Sequence, residues 1–206
     1  MAAAIVALLV LSSSMKSSFA TTTTTTTKCS NTNYIRSCCS STRYPNLCYS
    51  SLSPYASTVG TNRTKLAIVA LKVSLHATQN TSALVKKLSN TNGLLINETN
   101  AIKDCVYEVG DAICELKQSI EEMKVLRGSD FEFKLSSVET WVSAALTDED
   151  TCMEGMGGYG NGKLEKSIRN SVTNTAMLTS NALAIVDGLA QNYKSKSKAH
   201  SPSTRS

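Results

Sequence analysis

Apolar residues recur along this chain at intervals of three and four, the spacing of one face of an α-helix. The longest run extends from Ile102 to Met123, which predicts a long helix with one stripe facing a partner. Three prolines and ten glycines are too few for a β-rich chain with frequent turns. The chain is therefore predicted to be all-α, with further long helices over Leu66–Leu88, Val138–Ala145 and Leu164–Leu189.

The segments that link these runs are short, and they lie at residues 90–93, 127–130 and 155–162. Short links between long amphipathic helices make neighbouring helices antiparallel, so an up-down-up-down four-helix bundle follows. Residues 33–60 precede it, and the break at Pro45 suits two short helices, an N-terminal helical hairpin. Gly110 lies inside the second long helix, where glycine costs about 1 kcal/mol against alanine, and we interpret it as a close-packing point.

The first 20 residues have the features of a signal peptide. They begin with an apolar run too short to span a bilayer and end with small residues at Ser18 and Ala20, as cleavage requires. We therefore expect a secreted protein with no membrane association after cleavage. Three glycosylation sequons agree with that route, and they begin at Asn62, Asn80 and Asn97.

Composition divides the remainder of the chain. Residues 21–32 include seven consecutive threonines and are interpreted as a flexible leader. Residues 193–206 are basic and are interpreted as a disordered tail. The helical-bundle domain is therefore predicted to occupy residues 33–192.

Few features of the sequence suggest catalysis. The net charge of +5 is mild and concentrated near the C-terminus, which argues against a nucleic-acid surface. No nucleophile elbow, zinc-protease or P-loop motif is present, so neither an enzyme nor a cofactor is expected. Acidic residues cluster at Asp148–Asp150 and at Glu108, Asp111 and Glu115. They are most simply solvated helix faces or caps, with a protein-binding surface as the alternative.

Seven cysteines in a secreted chain predict disulfide bonds. Cys39 and Cys48 flank the break at Pro45, so a bridge between them would close the hairpin. A bridge between Cys105 and Cys152 would close a loop of about 48 residues and contribute about 4 kcal/mol.

Three cysteines remain, Cys29, Cys38 and Cys114. Cys114 cannot pair with Cys105, because the helix between them places the two about 13 Å apart on opposite faces. Cys29 and Cys38 could pair with each other, which would leave Cys114 as the odd thiol. A metal site is not expected, since no C-x-x-C motif occurs.

Three segments carry a resemblance to a known family: Ile35–Cys48, Lys103–Ala112 and Val138–Cys152. In cysteine spacing and in order they resemble the plant invertase/pectin methylesterase inhibitor domain. The resemblance implies a helical hairpin packed on a four-helix bundle, with bridges Cys39–Cys48 and Cys105–Cys152. It also implies a cell-wall (apoplastic) inhibitor that forms a one-to-one complex and covers its enzyme's pectin-binding cleft.

The family has two targets, and the sequence favours one of them. Invertase inhibitors resemble one another in a Pro-Lys-Phe motif before the third long helix, whereas this chain has no proline between Pro54 and Pro202. The stretch Trp141–Leu146 is also more similar to pectin methylesterase inhibitors. Pectin methylesterase is therefore the expected partner, with an invertase inhibitor or a non-inhibitory helical bundle as alternatives.

The family pattern also indicates which residues contact the enzyme. It places acidic groups two, six and nine residues after its third cysteine, where this chain has Tyr107, Asp111 and Cys114. Near the last motif cysteine, Thr151 and Glu154 match, with the glutamate standing for an aspartate. The resemblance therefore implies a partner-binding surface on these five positions, in which Tyr107 and Cys114 depart from the pattern.

Overall fold

The computed structural model describes residues 30–157 and 162–200, which are almost entirely helical. Two short helices and a 3-10 turn come first, and four long helices follow. In chain order the helices are α1 (residues 30–39), α2 (Pro45–Leu52), α3 (Ala56–Val59, after the turn Ser53–Tyr55), α4 (Arg63–Ser89), α5 (Ile96–Lys124), α6 (Phe131–Gly155) and α7 (Lys163–His200).

The four long helices form the predicted bundle. Each of them packs on two neighbours, so that α4 and α6 lie opposite each other and both contact α5 and α7. No strand occurs in residues 30–157 or 162–200. None of the helices described there is long and apolar enough to cross a membrane. The predicted all-α class and four-helix bundle are confirmed.

The N-terminal hairpin is attached to the last helix of the bundle. Pro45 begins α2 and Cys39 is bonded to Cys48, with the two Cα atoms 5.6 Å apart. Asn181 of α7 accepts a hydrogen bond from the Tyr44 backbone N–H at 3.0 Å and donates one to the Tyr44 carbonyl at 3.1 Å. The break that proline imposes on the chain is thus held directly against α7.

The core consists of two apolar clusters with a polar layer between them. The larger cluster joins the hairpin to one end of the bundle, and the smaller one surrounds Cys105 and Cys152 at the other. Between them, buried side chains of α4, α6 and α7 are hydroxyl-bearing or acidic. This polar layer comprises Ser74, Thr78, Thr81, Glu149, Thr175 and Thr179.

Glu149 corrects the interpretation of Asp148–Asp150 as solvated residues. Its side chain is completely buried, with 0% exposure, whereas Asp150 is exposed. The reason is position, because Glu149 continues the buried stripe of α6 that runs through Val142 and Ala145.

Gly110 is not a close-packing point. A Cβ atom built on it would meet no atom within 4 Å outside its own stretch of helix backbone. The glycine therefore lies in a long helix without a packing reason for its presence there.

The described helices extend past both predicted limits of the domain. Residues 30–32, assigned to the leader, belong to α1, and α7 continues to His200, past residue 192. No glycine or proline occurs between Gly188 and Pro202, so nothing in that basic segment ends the helix early. The predicted signal peptide, most of the leader and residues 201–206 lie outside the described residues.

Candidate functional site

A disulfide bond joins the bundle's second and third long helices near one end of the bundle. Cys105 of α5 and Cys152 of α6 are bonded, as the sequence indicated, and their Cα atoms lie 4.4 Å apart. Both are buried, and Val109, Ile168 and Val172 pack in the same apolar cluster. The bond fixes how α5 and α6 are aligned, and therefore which surface residues of the two helices meet.

Acidic side chains line α5 next to this bond. Asp104, Glu108, Asp111 and Glu115 are spaced by four, three and four residues, so they share one face of the helix. Asp104 and Asp111 are exposed, while Glu108 and Glu115 are half-buried on the side that meets α6. The result is a row of carboxyl groups along the junction of the two helices.

Helix α6 adds acidic and hydroxyl groups to the same surface. Asp148 is half-buried beside the α5 row, and Thr151 and Glu154 are exposed. The Thr151 hydroxyl donates to the Thr147 carbonyl at 2.8 Å, so its oxygen is still free to accept a bond from a partner. We call this surface the acidic face; it consists of Asp104, Glu108, Asp111, Glu115, Asp148, Thr151 and Glu154.

A shallow cleft of about 310 Å³ lies over the disulfide at one end of the acidic face. Its walls include Asp104 and Glu108 from α5, and Thr151 and Glu154 from α6. The cleft is small and open, and every ionisable side chain in its lining is acidic. It therefore suits a protruding cationic side chain of a protein partner better than an enclosed small ligand.

Among residues 30–157 and 162–200, no ion pair joins a carboxyl group of the acidic face to a cationic side chain. Lys124 pairs with Glu121, Lys134 with Asp130 and Arg169 with Glu165, and none of these residues is a member of the face. Burial and the neighbouring Asp148 raise the pKa of Glu115 to about 7. Burial, followed by repulsion from Asp148, Asp111 and Asp104, also raises the pKa of Glu108.

Three of the five predicted contact residues lie together on this surface. Asp111, Thr151 and Glu154 are exposed members of the acidic face. Tyr107 and Cys114 are exposed on α5 at the edge of the face, and Tyr107 is among the most accessible apolar side chains, with 72% exposure. The two departures from the family pattern therefore form a border of the acidic face.

The half-buried carboxyl groups are what sequence reasoning missed. Glu108, Glu115 and Asp148 were expected to be solvated, but they meet where α5 and α6 pack. Their spacing on α5 and the place of Asp148 four residues before Cys152 would have indicated this, once the disulfide was taken to align the helices.

The remaining predicted sites lie elsewhere on the surface. Asn62, Asn80 and Asn97 are all exposed. Cys114 is exposed and outside any disulfide, and Cys38 is half-buried. Cys29, with which Cys38 could form a disulfide bond, lies outside the described residues. In those residues no group of three or more His, Cys, Asp or Glu side chains is arranged to hold a metal ion.

Comparison with known protein families gives one match that spans most of the chain. The family model described as plant invertase/pectin methylesterase inhibitor matches residues 33–185. This range covers both disulfides and the whole acidic face.

Comparison with individual proteins also finds pectinesterase inhibitors among the similar sequences. The chain is 46% identical over 165 residues to the "21 kDa protein" of Daucus carota, covering 78% of this chain and 86% of that protein. It is 44% identical to "Pectinesterase inhibitor 10" of Arabidopsis thaliana, covering 77% of this chain and 51% of that protein. "Pectinesterase inhibitor 11" of the same plant is 38% identical, with 78% of this chain and 82% of that protein covered.

A solved structure supports the fold. The crystal structure of mutant form A of a pectin methylesterase inhibitor from Arabidopsis matches with a TM-score of 0.61 and 22% identity. The match covers 72% of this chain and 92% of that one. At this identity the likeness establishes the helical-bundle architecture and nothing finer.

Proposed function

The chain belongs to the plant invertase/pectin methylesterase inhibitor family, and from that membership we propose that it is a secreted inhibitor of pectin methylesterase. The family is one of inhibitor proteins, which confirms the prediction that the chain is not an enzyme. Inhibition would then follow from steric cover of the enzyme's pectin-binding cleft in a one-to-one complex.

The observation that carries this proposal is the uncompensated charge of the acidic face. Its carboxyl groups have no ion-pair partners among the described residues, and Asp111, Thr151 and Glu154 point outward from it. Pectin freed of its methyl esters is a polyanion, so an enzyme cleft that binds it should carry cationic groups. A rigid acidic surface complements such a cleft, and its attraction would weaken as salt is added.

Rigidity of the surface contributes to the proposed affinity. The Cys105–Cys152 bond and the packing around it hold α5 and α6 together before any partner arrives. Surfaces that are already ordered in the free protein lose less conformational entropy on binding. The bundle would therefore dock as a preformed body rather than fold against the enzyme.

The segment that would carry an invertase-type motif supports the choice of target. Lys134 lies within α6 and is paired with Asp130 at 3.0 Å, while Phe131 stacks on Tyr193 with ring centroids 4.0 Å apart. Lys134 and Phe131 thus have partners within the chain, whereas Phe133 is exposed. The support from this segment is therefore its lack of the proline of a Pro-Lys-Phe motif.

The proposed location is the extracellular space of the plant cell wall. The predicted signal peptide is the main support, and the exposure of Asn62, Asn80 and Asn97 is compatible with glycosylation on the secretory route. Mass measurement of the protein purified from a plant host, before and after treatment with an N-glycosidase, tests this. A glycosylated protein in the culture medium supports it, whereas an unprocessed intracellular protein contradicts it.

A parallel titration tests the function. Mature protein is added in increasing amounts to a plant pectin methylesterase and, separately, to a cell-wall invertase at mildly acidic pH. Loss of esterase activity near equal molar amounts, with invertase activity unchanged, is the expected result. Selective loss of invertase activity would reverse the assignment of the target. No effect on either enzyme would favour a non-inhibitory bundle.

A further inference from the structure

The polar layer of the core contains a single ionisable side chain, that of Glu149. Its exposure is 0%, and Ala145 and Cys152, on the same stripe of α6, are buried as well. Most buried acidic residues are paired with a cation or bind a metal. Glu149 is held instead by hydroxyl groups of two other helices, α4 and α7.

The hydrogen bonds around Glu149 are compatible with either an ionised or a protonated carboxyl group. Its Oε1 atom lies 3.0 Å from the Thr179 hydroxyl and 3.2 Å from the Thr78 hydroxyl. Each of these threonines also has a backbone acceptor in its own helix, Thr175 O at 3.2 Å and Ser74 O at 2.9 Å. A threonine that donates to its own helix is free to accept a hydrogen bond from the O–H of a protonated glutamic acid.

The second carboxyl oxygen argues against a charged group. Glu149 Oε2 is buried and has no hydrogen-bond partner. An ionised carboxylate with one bare oxygen in the core loses most of its hydration without replacement, whereas a neutral acid loses much less. The geometry therefore favours a protonated Glu149.

The charged groups nearby also oppose ionisation. Among the described residues, the polar groups of α4 and α7 that bond to Glu149 are the hydroxyls of Thr78 and Thr179, and the Ser74 hydroxyl bonds in turn to Thr179. On α6 its charged neighbours are Asp148 and Asp150, and Asp148 in turn meets Glu115 of α5. All are acidic, and His76 of α4 is exposed rather than directed into the core.

We propose that Glu149 is a buried proton-binding group that ties α6 to α4 and α7 while it is protonated, and that loss of this proton loosens the bundle. The neutral acid fits a layer of hydroxyls, whereas its anion must be rehydrated, which requires α6 to move away from its neighbours. We call Glu149 and the two hydroxyls that bond to it, those of Thr78 and Thr179, the pH-sensitive joint. It lies between the two apolar clusters.

The direction of the effect follows from the titration of the group. Burial raises the pKa of Glu149 to about 8, although the hydrogen bonds from Thr179 and Thr78 act to lower it. A glutamate in the unfolded chain titrates near 4.3. The stabilising contribution is therefore complete in acid and is lost as the pH rises from the unfolded value through the folded one.

Glu149 lies on α6, which also carries part of the surface in the proposed function. Asp148 and Thr151, on the same turn as Glu149, belong to the acidic face. If the proposed function holds, the inhibitor is most rigid in acid and loses its ordered surface in alkaline solution. The joint itself does not depend on any enzyme and is tested without one.

The test compares thermal unfolding of the purified full chain with two variants over a range of pH. Glu149→Gln keeps the size of the side chain but cannot ionise, and Asp150→Asn removes the adjacent, exposed carboxyl group as the matched control. The wild-type Tm should fall by about 4 °C or more between about pH 5 and about pH 8. We expect this fall to be reduced by about half or more in Glu149→Gln and to be unchanged in Asp150→Asn. A similar fall in all three proteins, or a constant wild-type Tm, would overturn the proposal.

A second measurement covers the case in which Glu149→Gln does not fold. The side-chain carboxyl carbon of Glu149 is followed by NMR in the wild-type protein as the pH is raised. A midpoint above about pH 6 in the folded chain agrees with a buried neutral acid, whereas a midpoint near 4.3 overturns it. Both readouts use the unliganded protein, so a chain that fails to inhibit any enzyme leaves the test of the joint intact.

Discussion

Glu115 of α5 and Asp148 of α6 bring their carboxyl groups together between the two helices. Glu115 Oε2 and Asp148 Oδ2 are both buried and receive no hydrogen bond from another group. Burial is the main reason that the pKa of each is raised, to about 7 for Glu115. Two carboxyl groups this close repel each other when both are ionised, so one of them keeps a proton in the folded chain.

The pair therefore makes stability depend on pH. Because the folded pKa of Glu115 lies above that of the unfolded chain, its contribution is present in acid and is lost as the pH rises through about 7. We expect Glu115→Gln to lose less stability between about pH 6 and about pH 8 than the wild type, measured by urea unfolding. Glu121→Gln, on an exposed turn of the same helix, is the control. Equal losses in the wild type and both variants would contradict the shared proton.

The two disulfides are expected to differ in their effect on stability. Cys105–Cys152 closes a loop with a sequence separation of 47 residues, and Cys39–Cys48 one of 9. Chain entropy gives about 4 kcal/mol for the longer loop and about 3 kcal/mol for the shorter. Replacing each pair by alanine and measuring the free energy of unfolding tests this. A larger loss for the Cys39–Cys48 pair would mean that loop length does not decide the order.

Gly110 offers a substitution that should stabilise the chain. A Cβ atom at this position meets nothing within 4 Å, so Gly110→Ala gains helix propensity of about 0.5–1 kcal/mol without a clash. Gly60 is a matched control, because it is equally open but has a φ of +58°, which strains an alanine. Thermal unfolding should show opposite shifts for the two variants. A loss of stability in Gly110→Ala would restore a packing role for this glycine.

Asn62 combines a helix cap with a glycosylation sequon. Its Oδ1 atom accepts the Lys65 backbone N–H at 2.9 Å at the start of α4. In protein made without glycans, Asn62→Ala should cost about 1 kcal/mol, and Asn62→Asp, which retains the acceptor, should cost little. Denaturant unfolding of the two variants measures the difference. Equal stability of both would show that the cap contributes nothing.

The sequence contains much of the fold because the bundle follows local rules. The spacing in Ile102–Met123 predicts α5 directly, and the cysteines that flank Pro45 predict the hairpin. Those features depend on neighbours along the chain, where helical periodicity applies. The same rules place the ends of most helices near short links rich in glycine and asparagine.

The site is less predictable because it depends on how helices align. Asp148, Glu149 and Asp150 are consecutive acids, yet one is buried in the core, one meets Glu115, and one is solvated. Amino-acid composition does not distinguish these three residues. Which of them is buried depends on how α6 is rotated about its own axis in the bundle. The position of Glu149 on the stripe through Val142 and Ala145 indicates burial. Its acidic side chain instead suggested a solvated residue.

The end of α7 shows what composition does not indicate. A basic, serine-rich composition suggested a disordered tail from residue 193, yet the helix continues to His200. Composition indicates whether a segment has an apolar face to bury. It does not show where an existing helix stops, which depends on glycine, proline and capping residues.

The most direct test of the proposed function reverses one charge on the acidic face. Asp111→Lys and the control Glu121→Lys make the same change on exposed positions of α5, the first within the face and the second outside it. Binding of each variant to a plant pectin methylesterase is measured by calorimetry at low salt, after circular dichroism has shown an intact fold. We expect Asp111→Lys to weaken binding by about tenfold or more and Glu121→Lys to leave it within about twofold. Equal affinity of both variants and the wild type would contradict the assignment of the acidic face as the enzyme-binding surface.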